Sequence, residues 1–508
     1  MAGGVVVTGT TDVNRVEAPV TWKAYMICAF AAFSGIFFGY DTGWMSGVMA
    51  MPYFINLYTG MEYDYVNKVP IGSLFTSILS CGTFFGALMG GDIADFIGRR
   101  PTIIMGCAVF CVGCTLQIAS TNQEGLFVLG RLVAGAGVGF ISAVVILYMS
   151  EIAPKKVRGA MVSGYQFCIT IGILVAACVV YGTQERSDTS SYRIPIGIQY
   201  LWAISPRYFV RKGETEKAAK ALAFLRGQPI ESAFVKDELA EIVANNEYEM
   251  QVIPQTNYIG SWLACFKGSL SAGDNPLRRT LLGTGMQMFQ QLTGINFVFY
   301  FGTPFFTQLG TIDNPFLISM ITTLVNVLST PISFYAVEKF GRRALLIYGA
   351  CSMIVCQFIV AIIGVTAGKD RHICLDAFIC LNVSSFAITW GPAAWVIVGE
   401  AFPVPIRSRG VGVSTASNWL WNTIIDVITP YLVGKDKADL GTKVFFLWGA
   451  LCCGSLLFGI SLEQADMYMA EASPRKSAAW RPSHTFAAEM GVAGEKLAAN
   501  TTVKEETV

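Results

Sequence analysis

Three observations predict an all-α polytopic membrane protein built from twelve helices in two six-helix halves. Of the 508 residues, 53% are apolar and only 14% are charged, against about 25% charge in soluble domains. The apolar residues gather in runs, most of them near the roughly 20 residues that a helix needs to cross a bilayer. Lys and Arg fall in every second loop between the runs, the bias that marks cytosolic loops.

The elements follow in order. Residues 1–21 are polar without a basic-then-apolar pattern, so no cleaved signal peptide is expected. The first-half runs are Trp22–Met49, Ile71–Gly90, Thr102–Ile118, Leu126–Met149, Ala160–Tyr181 and Ile194–Ser205. A charged stretch, Arg207–Arg279, then interrupts them, and its segments Glu214–Arg226 and Ser232–Met250 read as amphipathic surface helices. The second-half runs are Leu281–Phe306, Phe316–Val337, Leu345–Thr366, Cys374–Val398, Gly410–Val433 and Phe445–Leu462. The expected organisation is a cytosolic segment 1–21, a half 22–206, a cytosolic linker 207–279, a half 280–462 and a cytosolic tail 463–508.

Basic residues set the orientation. Arg99-Arg100, Lys155-Lys156 with Arg158, the linker, Arg342-Arg343 and Arg407 with Arg409 occupy alternate loops; Glu62/Asp64 and Glu185–Asp188 sit in opposite ones. Both termini are therefore expected in the cytosol. The sixth run, Ile194–Ser205, is short. A helix of that length covers about 18 Å, against a hydrocarbon core of about 30 Å. Without it every later loop would invert, so the charge pattern demands twelve spans with a truncated sixth.

An internal repeat supports the two halves. Gly98-Arg99-Arg100 recurs as Gly341-Arg342-Arg343, and Glu151-x-x-Pro154-x-x-x-Arg158 recurs as Glu400-x-x-Pro403-x-x-x-Arg407. Parallel repeats of six-span halves are the architecture of major facilitator transporters. Positive-inside topology explains the arginines but not Glu151 and Glu400. A cytoplasmic gate is expected from Asp92, Arg99, Arg100, Glu151 and Arg158 in one half. Its counterparts are Glu338, Arg342, Arg343, Glu400 and Arg407 in the other.

Polar residues at membrane depth mark function. Gln290, Gln291 and Asn296 lie together in the seventh run, around Gly294. They read either as a polar-ligand site or as hydrogen-bonded contacts between helices. Asp41 lies inside the first run and is a functional candidate; Asp426 in the eleventh reads as a cavity-facing or helix-end acid. The two histidines, His372 and His484, fall outside the runs. The fourteen cysteines fall mostly inside them; Cys107, Cys111 and Cys114 share a helical face, without histidine, and read as packing residues. No metal site, nucleotide loop, nucleophile–base pair or basic nucleic-acid patch is recognisable, which argues against an enzyme and against cofactors.

The motifs together resemble the sugar porter branch of the major facilitator superfamily. They are Gly90-Gly91-Asp92-x-x-Asp95-x-x-Gly98-Arg99-Arg100, Gly130-Arg131, the two Glu/Arg motifs, Gln290-Gln291-x-x-Gly294-x-Asn296 and Ser417-Asn418-Trp419. Phe38–Gly43, Tyr192–Pro195 and Thr389–Pro392 are most similar to fungal high-affinity monosaccharide–proton symporters. The resemblance implies sugar contacts at Gln166, Gln290, Gln291, Asn296, Asn326, Trp395 and Asn422, with Trp419 and Tyr300 beside the cavity. Amides offer donors and acceptors to hydroxyls, and tryptophan a flat apolar face. Some family members place a glutamate where Ala387 stands, so no carboxylate contact is expected there. The resemblance also implies that Asp41 is the proton-coupling acid and Arg131 its partner; a structural ion pair is the alternative.

Two departures stand out. The family's Pro-Glu-Ser-Pro-Arg motif after the sixth span is reduced to Ser205-Pro206-Arg207. The Pro-Glu-Thr-Lys-Gly motif after the twelfth is absent where Leu462 meets Glu463-Gln464, so the twelfth helix also reads as truncated. Missing coding segments and a transport-impaired paralogue both stay open. The expected function is import of a monosaccharide, glucose first, with a proton by alternating access, in a monomer in the plasma membrane. A passive facilitator and a non-transporting sugar sensor are the alternatives.

Overall fold

The computed structural model describes residues 22–59, 69–121, 123–153, 157–203, 232, 258–268, 276–309, 314–366, 372–434 and 437–466. The amphipathic linker segments, residues 1–21 and the tail beyond 466 lie outside the described residues.

The chain is helical throughout its described spans. The first span is a broken pair, α1 (Trp22–Ala32) and α2 (Ser34–Val48), followed by a short α3 (Pro52–Thr59). Spans two to five are single helices: α4 (Val69–Ile97), α5 (Arg99–Ala119), α6 (Glu124–Ile152) and α7 (Arg158–Thr183). The sixth is α8 (Ser190–Ala203), and a short α9 (Tyr258–Ala264) precedes the second half. The seventh span is split into α10 (Pro276–Leu292) and α11 (Ile295–Leu309), the eighth into α12 (Pro315–Ser329) and α13 (Ile332–Phe340). Then come α14 (Arg342–Thr366), the split tenth span α15 (His372–Ile388) and α16 (Trp390–Ala401), α17 (Val404–Val433) and α18 (Val444–Asp466).

Seven helical stretches among the described residues are long and apolar enough to cross a membrane, and the α12–α13 pair, bent by 45°, makes an eighth. The four other expected spans miss that mark for local reasons. The first and seventh are split, and the sixth is short. The eleventh, α17, has 30 residues but buries Ser414, Thr415, Asn418, Asn422 and Asp426. That polar face is turned inward, while Leu420, Val427, Ile428 and Tyr431 form an exposed apolar face.

The sixth span begins at Ser190, four residues before its apolar run, and its 14 described residues cover about 21 Å. Side chains anchor it: Tyr40 Oη donates to the Pro195 carbonyl at 3.0 Å, and Tyr192 Oη to the Ser120 carbonyl at 3.2 Å. The twelfth helix corrects the expectation of truncation. It runs 23 residues to Asp466, about 34 Å and enough for a bilayer. Glu463 and Gln464 are good helix formers and continue it.

Small residues set the closest crossings. A Cβ on Gly39 would stand 2.0 Å from the Ile169 carbonyl oxygen, and one on Gly172 2.2 Å from that of Ile36. That reciprocal fit presses α2 onto α7, as small residues do in lipid. Across the halves, α4 packs on α17, α7 on α12 and α13, α2 on α11, and α6 on α16. These are spans two with eleven, five with eight, one with seven and four with ten, the pairings expected of two repeats facing each other.

Candidate functional site

The seventh span is interrupted at Gly294, where φ is +76°. That left-handed conformation suits glycine. The interruption leaves the Thr293 carbonyl without a helical partner, and Gln357 Nε2 of α14 donates to it at 2.6 Å. Beside it, Gln290 Nε2 donates to the carbonyls of Trp390 at 3.2 Å and Gly391 at 2.9 Å. These groups sit where the tenth span breaks at Thr389, next to Pro392, which brings no N–H. Gln290 Oε1 accepts from Asn418 Nδ2 at 2.8 Å, and Asn418 also donates to Gln287 Oε1 at 2.6 Å. Gln290 thus ties spans seven, ten and eleven together, and its hydrogen-bonding groups are engaged.

The other expected contacts surround this knot. Asn296 Nδ2 donates to Gln291 Oε1 across the break. Gln166 is buried with its amide beside Gly391. Trp395 meets Tyr165 edge-on, ring centroids 6.0 Å apart. Asn422 Nδ2 donates to Tyr300 Oη at 3.1 Å. Trp419 packs edge-on against Phe38 at 5.0 Å. Asn326 Oδ1 and Trp419 Nε1 are buried and have no hydrogen-bond partner among the described residues. A buried polar atom in that condition calls for a ligand or water. A cavity lined by Ser46, Gly47, Val298, Thr303 and Phe306 opens two turns along α11 from Asn296, towards the end away from the Gly-Arg-Arg turns.

Asp41 and Arg131 form a buried ion pair, Oδ1 to Nη1 3.1 Å, with 0% and 1% of their side chains exposed. Trp44 Nε1 donates to the same Oδ1 at 3.1 Å, and its ring lies 5.3 Å from the guanidinium carbon. Arg131 Nε donates to the Phe75 carbonyl at 3.2 Å. Gln199 of the short sixth helix faces the carboxylate and accepts from Cys114 Sγ at 2.9 Å. Trp44 was missed in the sequence although it lies one turn from Asp41. Gln287, Gln357 and Asn418 were also missed, although they carried the signal that singled out Gln290: an amide in an apolar run.

The Gly-Arg-Arg turns share one backbone form, φ +90° and ψ 159° at Gly98 and φ +79° and ψ 159° at Gly341, a region essentially reserved for glycine. Arg99 grips Glu151 with Nη2 at 2.8 Å and Nε at 3.3 Å, and reaches Asp95 at 3.2 Å. Arg342 Nη2 meets Glu400 at 3.1 Å. Both pairs lie within one half. Arg158 donates to the Ala153 carbonyl and Arg407 to that of Phe402, each securing its own loop. The Arg100 side chain lies outside the described residues, and Arg343 is partly buried at the head of α14.

Across the halves, Arg99 Nη2 donates to Ser408 Oγ at 3.5 Å. Arg409 Nε meets Asp92 Oδ1 at 3.2 Å and Nη1 meets Asp95 Oδ2 at 3.7 Å. Ser408 Oγ donates to Asp95 at 2.6 Å, and Trp262 Nε1 to Asp92 at 3.0 Å. On the opposite edge Glu338 accepts from the Ala160 backbone N–H at 3.0 Å. Glu151 and Glu400 each bind an arginine of their own half. Arg409→Gln should weaken closure of this face by about 1–2 kcal/mol, a factor of about 5–30 in population. Alkylation of Cys265, buried beside Arg409 and Asp92, should quicken accordingly by mass spectrometry. Unchanged labelling would remove this pair from any gate.

The chain matches the family described as "Sugar (and other) transporter" over residues 27–462. It is 42% identical over 500 residues to the major facilitator-type transporter ecdD of Aspergillus rugulosus, covering 91% of this chain and 90% of that one. It is 41% identical over 466 residues to the high glucose sensor RGT2 of Saccharomyces cerevisiae, covering 87% of this chain but 60% of that protein. Among solved structures, the proton:xylose symporter XylE bound to 6-bromo-6-deoxy-D-glucose superposes with a TM-score of 0.71 at 23% identity, covering 87% of this chain and 95% of that one. At that identity the likeness shows the fold.

Proposed function

The chain belongs to the sugar (and other) transporter family of the major facilitator superfamily, and from that premise we propose that it imports a monosaccharide, glucose first, together with a proton by alternating access. The observation that carries the proton half of this reading is the dry Asp41–Arg131 pair, packed one helix away from the amide cluster. Such a pair is costly to bury, and ionisable groups placed at that cost inside a membrane mark function. The amides carry the sugar half. Gln291 and Asn296 flank the break at Gly294, Trp419 lies on α17 and Asn326 on α12, and the last two hold unengaged polar atoms. In this reading Gln290 positions the broken helices and its neighbours meet the sugar.

The Gly-Arg-Arg face is taken as cytosolic and the membrane as the plasma membrane, with both termini inside. The inter-half contacts of Asp92, Asp95 and Glu338 then form the gate that holds the inner side closed, and the arginine–glutamate pairs stiffen each half. The organisation into halves at 22–206 and 280–462, joined by the linker, belongs to the same reading.

The direct test is uptake of labelled glucose by this chain in cells lacking hexose carriers, with and without a protonophore. Uptake abolished by the protonophore is expected; uptake indifferent to it would point to a passive facilitator. Gln291→Ala should raise the half-saturating sugar concentration about tenfold, the value of one good hydrogen bond, without lowering surface abundance. An unchanged half-saturation would take Gln291 out of the site. A second reading, a sensor that binds without transporting, is favoured by the likeness to RGT2; specific sugar binding without any exchange would establish it.

A further inference from the structure

Asp426 is the one acid of α17 that the coupling pair does not use. It does not lie at a helix end: it sits two turns inside α17 with 0% of its surface exposed. Its Oδ2 accepts from Ser80 Oγ of α4 at 3.0 Å, and Ser80 also reaches Asn422 Oδ1 at 3.4 Å. Two turns further out on α4, Ser73 Oγ donates to the carbonyls of Asp426 and Val427 at 3.4 and 3.3 Å. These bonds cross from one half to the other, on the half of the membrane opposite the Arg409 contacts. Oδ1 has no partner among the described residues. The charged and titratable groups that face Asp426 are Arg131 of α6 and Tyr300 of α11. Arg131 is engaged by Asp41, and Tyr300 Oη by Asn422.

We propose that Asp426 is a proton-operated latch on the outer half of the interface, which must bind a proton before α4 and α17 can close there. The inference rests on the transport reading above. An ionised carboxylate with no cation at ion-pair distance is strongly disfavoured in a buried helix interface. The closed form is therefore the acid, held to Ser80. When the halves part on the outer side, the carboxyl leaves Ser80 and meets water, where the acid gives its proton to a water molecule. Reclosure requires the reverse step: a hydronium ion outside loses a proton, a carboxylate O–H bond forms, and the neutral group re-enters the interface. Asp41 and Arg131 lie within one half, so their proton tracks coupling. The proton of Asp426 tracks closure.

The test is sugar exchange at equal sugar concentration on both sides, measured against external pH in wild type, Asp426→Asn and Asp41→Asn. A one-proton closing step makes wild-type exchange fall by up to about tenfold per pH unit on the alkaline limb. Asp426→Asn mimics the protonated acid, retains an acceptor for Ser80 and should give a flat profile. Asp41→Asn should keep the alkaline fall. Should the asparagine variant fail to reach the membrane, Asp426→Ala removes the titrating group and carries the same expectation. An alkaline fall unchanged in either neutral variant would overturn the latch. If wild type still accumulates sugar along an imposed pH gradient in that case, the symport reading stands and the latch alone has failed. If wild type never accumulates sugar but the neutral variants flatten its profile, the latch stands and symport has failed.

Discussion

Asp41→Asn is expected to abolish accumulation of sugar against its gradient while leaving exchange intact. The amide occupies the volume of the carboxyl and retains an oxygen to accept from Trp44 and Arg131, as Oδ1 does now. It has no proton to carry. One pH unit is worth about 1.4 kcal/mol per proton, or about tenfold in accumulation; without coupling the ratio returns to one. The substitution also leaves Arg131 buried beside a neutral group. Removing one partner of a buried pair costs about 3–5 kcal/mol when nothing replaces it. The remaining acceptors, the amide oxygen and the Phe75 carbonyl, reduce that loss. Surface abundance measured on a tagged chain separates lost coupling from lost folding. Radiolabelled hexose accumulation equal to that of wild type at equal abundance would take Asp41 out of coupling.

The second large effect is expected at Gly294. An alanine there meets two independent obstacles. A side chain at φ +76° costs about 1–2 kcal/mol. Its Cβ would also stand 2.6–2.9 Å from Trp448 side-chain atoms. Trp448 is 3% exposed and stacks with Phe297 at 6.5 Å, so it has little room to yield. Overpacking of this kind costs about 1–3 kcal/mol, which brings the total to about 2–5 kcal/mol. The damage would spread to function because Gln290 and Gln291 precede the break and Asn296 follows it. Thermal unfolding of the purified protein in detergent, with sugar binding on the same sample, measures both. A melting temperature equal to that of wild type would mean that the turn relaxes at no cost.

Most spans were legible because burial in lipid demands long apolar helices, and hydropathy records that demand. The breaks were less so. Pro392 and Gly294 were visible as residues, but whether a helix bends there depends on partners such as Gln357 and Gln290, which sit in other spans. The amide cluster was legible as polar at depth. Which amide faces a ligand and which secures a neighbouring helix was not, because the acceptors of Gln290 lie 100 residues away. The gate charges stood out through their repeat, yet the sequence paired them by sign alone. Geometry adds Arg409, Ser408 and the Ala160 N–H, which meet Asp92, Asp95, Arg99 and Glu338 across the halves. The short sixth span was readable by length, and the twelfth was misread because a missing motif past a helix end does not shorten the helix.

The repeat displacement of the Gly-Arg-Arg turns carries Asp95 onto Glu338, and that of the Glu/Arg motifs carries Gly159 and Ala160 onto Ser408 and Arg409. The two inter-half contacts are therefore the same contact made twice, once with a guanidinium and once with a backbone amide. The two respond differently to separation. A hydrogen bond to a peptide N–H is lost within about an ångström of stretch, whereas attraction between charges decays only as the inverse of distance. In the proposed inner opening, the edge between spans five and eight is expected to let go abruptly. The edge between spans two and eleven still pulls. The expected motion is a swing about the charged edge, like a door, rather than a symmetrical parting of two halves.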